Sequence, residues 1–125
     1  MIVGVGIDLV ETARMARVVE EHGDRLLERV FTPSERADCA ARVDRVQALA
    51  ARFAAKEACL KALGTGWARG LSFRQVEVVR DEAGRPSLHL AGPAAGRAQE
   101  MGVRRIHVSL THQKGAAAAV VVLEG

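Results

Sequence analysis

Residues 44–64 read DRVQALAARFAAKEACLKALG and carry the longest helical pattern in the chain. The alanine-rich interior predicts a helix over Asp44–Leu63, and Gly64 is a typical helix terminator. Helical spacing gives one apolar stripe with a single charged member, made of Val46, Leu49, Ala50, Phe53, Glu57 and Leu60. We therefore predict one long helix whose apolar face is interrupted by a carboxylate.

The N-terminal segment Ile2–Val10 is rich in β-branched residues and predicts a strand that contains glycines. Because side chains alternate along a strand, Gly4, Gly6 and Asp8 share one face. Glycines at such positions let another element approach closely. Asp8 is the one charge inside this strand, so it is a second carboxylate in an otherwise apolar setting.

The remaining segments predict short helices and strands. Thr12 caps a helix over about residues 13–22 that ends at Gly23, and Thr32–Glu35 forms a capping box for a helix that ends near Ala41. Further elements are a strand pair (Phe73–Val79 and Pro86–Leu90), a helix from Gly92 to about Met101, and a closing hairpin (Ile106–Thr111 and Ala116–Leu123). Together they predict a single domain over residues 1–125 that combines helices and strands. It is α/β in the broad sense and α+β in the strict one, with an antiparallel sheet packed on the long helix.

The composition argues against several classes of protein. The chain has 125 residues, 49% hydrophobic and 3% aromatic, so a core can form but stacking platforms for nucleic acid bases are scarce. Basic and acidic residues are spread evenly, which also argues against a nucleic acid partner. We find neither a secretory signal nor an apolar run long enough for a membrane span. Cys39 and Cys59 predict reduced core thiols, and we expect a cytoplasmic protein.

Asp8 and Glu57 are the two carboxylates predicted at apolar positions. Two acids that face one interior repel each other unless a cation lies between them. Oxygen ligands without nearby His or Cys favour Mg²⁺, which binds one or two carboxylates together with water and substrate phosphate. The alternative is a solvated helix ion pair between Glu57 and Lys61, worth about 0.2 to 0.5 kcal/mol. Periodicity alone does not choose between them.

The lysines point to phosphate chemistry. Lys56 and Lys61 lie in the long helix of a chain that otherwise prefers arginine, and Arg45, Arg52 and Lys56 are predicted to form a polar flank beside the apolar stripe. A lysine is a compact, mobile charge that suits a phosphate oxygen. The glycine-rich turn at residues 64–66 adds free backbone N–H groups.

Two other motifs are incomplete. Residues 4–9, GVGIDL, lack the third glycine of a dinucleotide-binding fingerprint. Ser109 and His112 could form a nucleophile pair, but no G-x-S-x-G elbow surrounds either residue. We therefore predict that Ser109, Thr111 and His112 serve as hydrogen-bonding residues at the rim of a site.

Three segments together resemble the holo-acyl-carrier-protein synthases of the 4′-phosphopantetheinyl transferase family. They are GIDLVE at residues 6–11, FAAKEACLKALGTG at residues 53–66, and the tail from HVSLTH at residues 107–112 to VLE at residues 122–124. The pattern F-x-x-K-E-x-x-x-K, with an upstream Asp in a G-I-D strand, is specific to this family. The resemblance covers nearly the whole chain and is weakest over residues 23–47.

The resemblance implies transfer of 4′-phosphopantetheine from coenzyme A to a serine hydroxyl of an apo acyl carrier protein, with release of adenosine 3′,5′-bisphosphate. It assigns Asp8 and Glu57 to Mg²⁺ and Lys61 to phosphate, as the catalytic set. It also implies a homotrimer with active sites at subunit interfaces. The coenzyme A contacts that it implies are Arg52, Phe53, Lys56, Lys61, Gly64, Thr65, Gly66, Ser109 and His112. Whether Glu57 or a water accepts the serine proton stays open.

An acidic carrier protein needs a basic docking surface. The helix after the first strand carries Arg14 and Arg17 at i and i+3, and it begins close to the proposed metal site. We predict that these two arginines bind the carrier. The alternative is an ordinary solvated helix end, on which they pair with Glu20 and Glu21.

A different class of function uses the same lysines and glycine-rich turn. A non-catalytic coenzyme A or nucleotide-binding module would need no paired carboxylates. Metal dependence therefore separates this module from the enzyme. An RNA-binding domain is the third class, and the even charge and scarce aromatic residues disfavour it.

Overall fold

The computed structural model describes residues 1–64 and 70–125, and within these residues the chain forms four α-helices and five strands. In chain order they are β1 (Ile2–Glu11), α1 (Thr12–Val30), α2 (Pro33–Ala40), α3 (Arg45–Leu63), β2 (Val76–Arg80), β3 (Pro86–Leu90), α4 (Gly92–Glu100), β4 (Arg105–Gln113) and β5 (Ala116–Glu124). All strand pairs are antiparallel; one sheet has the order β1-β5-β4, and the other pairs β2 with β3. The predicted α+β class is confirmed, although the strands divide between two sheets rather than one.

The long helix α3 lies at the centre of the molecule and is buried over most of its surface. Thirteen of its 19 residues are buried, and it packs against α1, α2, α4, β2 and the β1-β5-β4 sheet. Its many alanines leave room for neighbours on several sides. Gly64 ends the helix in the left-handed conformation, with φ of 78°, as predicted. Neither α3 nor any other helix in the described residues is long and apolar enough to cross a membrane.

The glycines of β1 let this strand lie directly against α3. A Cβ atom added to Gly6 would overlap the carbonyl oxygen of Ala58, and one added to Gly4 would overlap that of Ala62. The predicted close approach is therefore confirmed, and its partner is the long helix. This contact turns the Gly4, Gly6 and Asp8 face of β1 towards α3 and fixes the position of Asp8.

Helix α1 continues beyond its predicted end. Gly23 interrupts the helix with φ of 56° and ψ of −142°, but a second helical segment then runs to Val30. The predicted break at Gly23 is confirmed, but the second segment was not predicted; it is stabilised by the burial of Leu27 and Val30 in the core.

The predicted capping box at the start of α2 is present in full. The Thr32 hydroxyl accepts a hydrogen bond from the Glu35 backbone N–H, and a Glu35 carboxylate oxygen accepts one from the Thr32 N–H. The strand predicted from Phe73 instead begins at Val76, because Phe73–Gln75 forms a 3-10 turn. Both hairpins that follow are confirmed.

The two cysteines are free and buried, as expected. Burial raises the pKa of the Cys59 thiol to about 12, although the positive charge of Lys56 acts in the opposite direction. A thiol in this state is a poor nucleophile. Both cysteines therefore contribute to core packing.

Candidate active site

A cleft of about 450 Å³ lies at the junction of β1, α1 and α3. Its charged lining residues are Asp8, Glu11, Arg14 and Glu57. Its apolar lining residues are Leu9, Val10, Met15, Val18, Leu26, Val30, Phe31, Phe53 and Phe73. The cleft can therefore hold a molecule with one charged and one less polar part.

Asp8 and Glu57 meet at this cleft from two different elements. Asp8 lies on the inner face of β1, in register with Ala119 of β5, and its side chain is 15% exposed. Glu57 is half-buried on α3. Burial raises the pKa of the Glu57 carboxyl, the negative charge of Asp8 raises it further, and Lys61 lowers it. The two acids are thus close enough to repel each other, as the sequence predicted.

Lys61 lies one helical turn beyond Glu57 and reaches across to β1. Its Nζ donates to Asp8 Oδ1 at 3.0 Å and to the carbonyl oxygen of Ile7 at 3.1 Å. Within residues 1–64 and 70–125, the ion pair of Lys61 is with Asp8 and not with Glu57, so the isolated helix pair weighed above is not formed. Lys61 does not itself line the cleft, but its side chain is 53% exposed beside Asp8, which does.

The residues at the cleft fit Mg²⁺ by their chemistry. Both candidate ligands, Asp8 and Glu57, offer carboxylate oxygens, and Mg²⁺ is commonly held by one or two carboxylates with water and substrate phosphates completing its shell. Where the structure describes the chain, no group of three or more His, Cys, Asp or Glu side chains could hold a metal without such help. These residues would therefore bind the ion together with a phosphate ligand.

Lys56 and Arg52 do not lie where the sequence predicted. Instead of forming a polar flank, Lys56 is 0% exposed and Arg52 is 1% exposed. The Lys56 Nζ is paired with Glu35 Oε1 at 2.6 Å, and Arg52 Nη1 donates to the carbonyl oxygen of Ala48. The prediction that these two residues contact coenzyme A is corrected, because their faces of α3 are covered by other elements.

Phe53 and Gly64, two other predicted coenzyme A contacts, are not buried as Lys56 and Arg52 are. Phe53 lines the cleft beside Glu57 and packs against Phe73 with ring centroids 5.1 Å apart. Gly64 is exposed at the end of α3. Thr65 and Gly66, also predicted to contact coenzyme A, lie outside the described residues.

Ser109 and His112 are exposed on β4 and do not line the cleft with Asp8 and Glu57. His112 lines a separate cavity of about 340 Å³, to which Leu9 and Thr111 also contribute. Ser109 and His112 lie three positions apart on β4 and therefore on opposite faces of the strand, so they do not form a nucleophile pair. Leu9 lines both this cavity and the main cleft, so the two spaces are neighbours.

Arg14 and Arg17 are exposed on the first half of α1. Arg14 also lines the cleft. Across residues 1–64 and 70–125 neither arginine forms an ion pair, and Glu21 is instead close to His22. The alternative pairing with Glu20 and Glu21 is therefore absent, and both guanidinium groups are available to an acidic partner.

Two further groups were not found as site residues from the sequence. Glu35 was assigned only to helix capping, yet its carboxylate also pairs with Lys56. Phe31 is 1% exposed and forms part of the cleft wall. The scarcity of aromatic residues in the chain is the one signal that singles out Phe31, because three phenylalanines converge on the same cleft.

The chain is similar over its full length to a known group of enzymes. Residues 4–121 match the family model described as the 4′-phosphopantetheinyl transferase superfamily. A holo-[acyl-carrier-protein] synthase of Solidesulfovibrio magneticus is 50% identical over 125 residues, which cover 100% of both chains. The crystal structure of this enzyme from Neisseria meningitidis has a TM-score of 0.90 at 36% identity, with 100% of both chains covered. The structure from Helicobacter pylori, in complex with coenzyme A, has a TM-score of 0.84 at 32% identity and covers 96% of this chain and 99% of that one.

Proposed function

The chain belongs to the 4′-phosphopantetheinyl transferase superfamily, among the holo-acyl-carrier-protein synthases, and from this premise we propose a Mg²⁺-dependent transfer of 4′-phosphopantetheine from coenzyme A to a serine of an apo acyl carrier protein. The observation that carries the proposal is the meeting of Asp8 and Glu57 at one cleft, with Lys61 bound to Asp8. The two acids repel each other and, among the described residues, Lys61 pairs with Asp8, so the cluster keeps a negative charge that a cation would offset. A phosphate-binding metal site accounts for all three.

Asp8 and Glu57 would hold Mg²⁺ through their carboxylate oxygens. When bound, the ion supplies neutralising charge to the pyrophosphate of coenzyme A. Lys61 lies beside Asp8 and is half exposed, so its ammonium group can turn from Asp8 to a phosphate oxygen. These three residues therefore bind and orient the reacting phosphate group.

The reaction needs no nucleophile from this chain. The serine oxygen of the carrier forms the new bond to phosphorus, and the pyrophosphate P–O bond on the nucleotide side breaks. Adenosine 3′,5′-bisphosphate leaves with the electron pair of that bond, and the serine proton passes to a base. In-line positioning and charge neutralisation dominate such transfers, which agrees with a site built of two acids and a lysine.

The two substrates use different surfaces in this proposal. Coenzyme A binds along the cleft and the segment that follows α3 in sequence, with Phe53, Lys61, Gly64, Thr65 and Gly66 as contacts. The acidic carrier docks on Arg14 and Arg17, which are both exposed on α1, and Arg14 also lines the cleft. Because the carrier would enter past Arg14, its serine would reach the phosphate from the α1 side.

We also propose that three copies of the chain assemble, with Ser109 and His112 of one copy serving the coenzyme A of a neighbour. The outer face of β1 supports this assembly, because Val5, Ile7 and Leu9 are 58%, 67% and 69% exposed. A row of exposed aliphatic side chains on a sheet is typical of a protein interface.

We further propose that the protein works in the cytoplasm, where thiols stay reduced, because both of its cysteines are free and buried.

The direct test is to incubate the protein with coenzyme A, Mg²⁺ and an apo acyl carrier protein, and to weigh the carrier by mass spectrometry. We expect a mass gain of one 4′-phosphopantetheine group, and no gain when the carrier serine is replaced by alanine. The same incubation with EDTA tests the metal. An unmodified carrier in the presence of Mg²⁺ would refute the proposed function.

A further inference from the structure

The ammonium group of Lys56 is the centre of a buried polar cluster formed by Lys56, Glu35, Phe73 and Val76. Lys56 Nζ contacts Glu35 Oε1 at 2.6 Å, and it donates to the carbonyl oxygens of Val76 at 2.6 Å and Phe73 at 3.0 Å. An ammonium group has three hydrogens, and each therefore has an acceptor. Lys56 and Glu35 are both 0% exposed, so water does not compete for these bonds.

Glu35 completes the cluster on its other side. Its Oε1 accepts a hydrogen bond from the Thr32 backbone N–H at 2.9 Å, and its Oε2 accepts one from the Val78 N–H at 2.8 Å. The Lys56–Glu35 ion pair therefore joins three parts of the chain: the start of α2, the middle of α3 and the segment from Phe73 to Val78. These connections fix the separation between α3 and the 3-10 turn at Phe73.

The cluster is continuous with the aromatic wall of the cleft. Phe73, whose carbonyl oxygen binds Lys56, also lines the cleft, and its ring packs on Phe53. The ring of Phe31 has its centroid 5.6 Å from Lys56 Nζ and belongs to the same wall. The Lys56 ammonium group thus contacts the Phe31 ring and the Phe73 carbonyl oxygen directly, and it is connected to Phe53 through the Phe73 ring.

We propose that Lys56, together with Glu35, is a positioning residue for coenzyme A: the buried ion pair sets the distance between Phe73 and α3, and thereby the place of Phe53 in the cleft. This inference rests on the proposed function, in which Phe53 contacts coenzyme A. Lys56 itself does not touch the substrate, because its ammonium group is fully buried.

Stability alone is a poor reason for such a pair. Charges removed from water lose solvation, and replacing a buried ion pair by apolar residues of similar volume is often neutral or stabilising. A fully satisfied polar cluster instead fixes one arrangement of the elements that it joins. Here the joined elements carry the cleft wall, so the arrangement that is fixed is the shape of the substrate site.

The test is steady-state kinetics of the variant Lys56→Met and the double variant Lys56→Met with Glu35→Gln, each at a temperature where circular dichroism shows it to be folded. We expect the KM for coenzyme A to rise about tenfold or more in both, because small misplacements of a binding wall carry large kinetic penalties. The KM for the carrier protein should stay within about twofold, since Arg14 is not joined to the cluster. Lys114→Met, which removes the same charge from an exposed turn, is the matched control and should resemble wild type.

The double variant distinguishes positioning from stability. It contains no unpaired buried charge, so it should unfold at a higher temperature than Lys56→Met. If its KM for coenzyme A remains raised while its stability recovers, the positioning role is supported. If the KM returns to the wild-type value together with stability, or if both KM values rise equally, the inference is overturned. Should Lys56→Met fail to fold, the KM of the double variant decides alone.

The proposed function can fail separately. If wild-type protein leaves the carrier unmodified, the transferase proposal is lost. The positioning role is then tested by calorimetric titration, which measures the Kd for coenzyme A. Both variants should bind coenzyme A about tenfold more weakly than wild type. Unchanged binding in both variants would overturn it.

Discussion

Replacing Glu57 with Gln separates the effect of this carboxylate on activity from its effect on the stability of the fold. The substitution keeps the shape of the side chain and removes the charge that would hold Mg²⁺. We expect kcat/KM to fall at least about 100-fold, which corresponds to about 2.7 kcal/mol at about 1.36 kcal/mol for each tenfold change. The remaining carboxylate, Asp8, is itself a proposed ligand of the ion, so it cannot also replace the lost one.

The fold should tolerate this change. The pKa of Glu57 is raised by burial and by the charge of Asp8, with Lys61 opposing. Its ionised form is therefore less favourable in the folded chain than in water. The free energy of unfolding of Glu57→Gln at neutral pH should equal or exceed that of wild type. A loss of activity without a loss of stability assigns the defect to chemistry.

The same pKa shift predicts a pH dependence in magnesium-free buffer. Because the folded pKa of Glu57 lies above the unfolded one, the folded chain binds the proton more tightly. That contribution is present at low pH and is lost as pH rises from the ordinary Glu pKa through the raised value. Urea unfolding at a series of pH values should show this decline in wild type and a flatter profile in Glu57→Gln. Glu82→Gln, in an exposed turn, should keep the wild-type profile.

Magnesium should reverse the order of stability. A ligand that binds only the folded state at 100 times its Kd stabilises that state by about 2.7 kcal/mol, so Mg²⁺ should raise the Tm of wild type. The Tm of Glu57→Gln should respond much less. Equal stabilisation of both proteins by Mg²⁺, or near-normal turnover of Glu57→Gln, would refute the assignment of this site.

Three further changes test the rest of the proposal. Lys61→Ala should weaken transition-state binding, measured from kcat/KM, by about 3 kcal/mol or more. Lys61→Arg should restore little, because a planar guanidinium cannot replace a point charge; normal kinetics of both variants would remove Lys61 from the site. Arg14→Glu should raise the KM for the carrier about tenfold, flatten the salt dependence of association and leave the KM for coenzyme A unchanged. An equal loss towards both substrates would contradict a docking role. Ile7→Asp should yield monomers in sedimentation equilibrium, because it places a charge at a residue that is 67% exposed on an apolar face; a stable, fully active wild-type monomer would exclude the trimer.

Much of the fold follows from local patterns in the sequence. The length and end of α3 follow from alanine content and Gly64, and the start of α2 follows from the capping box. The close approach of another element to β1 was predicted from glycines on one face of the strand, and the structure identifies that element as α3. Asp8 and Glu57 were found for the same reason, because each charge lies on a face that is otherwise apolar.

The errors concern contacts between residues distant in the sequence. Lys56 was predicted on a polar flank because helical spacing describes a helix with one buried face. Helix α3 is covered on several sides, and the carboxylate that satisfies Lys56 is Glu35, which lies 21 positions earlier in the chain. The second half of α1 was missed for a similar reason, because it is stabilised by burial of Leu27 and Val30 rather than by its own propensity.

Strand β1 joins the site to the surface that a second copy would cover. Side chains alternate along a strand, so Gly6, Asp8 and Val10 turn towards α3 while Ile7 and Leu9 turn to solvent. A register slip of one residue would exchange these two sets, and the fit of Gly6 against the Ala58 carbonyl opposes such a slip. The contact that places Asp8 in the cleft therefore also turns Leu9 to the exposed face, where it lines both the cleft and the cavity of His112. In the proposed trimer, a neighbour bound to the exposed face of β1 would lie beside the cleft. Consecutive residues of this one strand form both surfaces, because Asp8 faces the cleft while Ile7 and Leu9 face the neighbour.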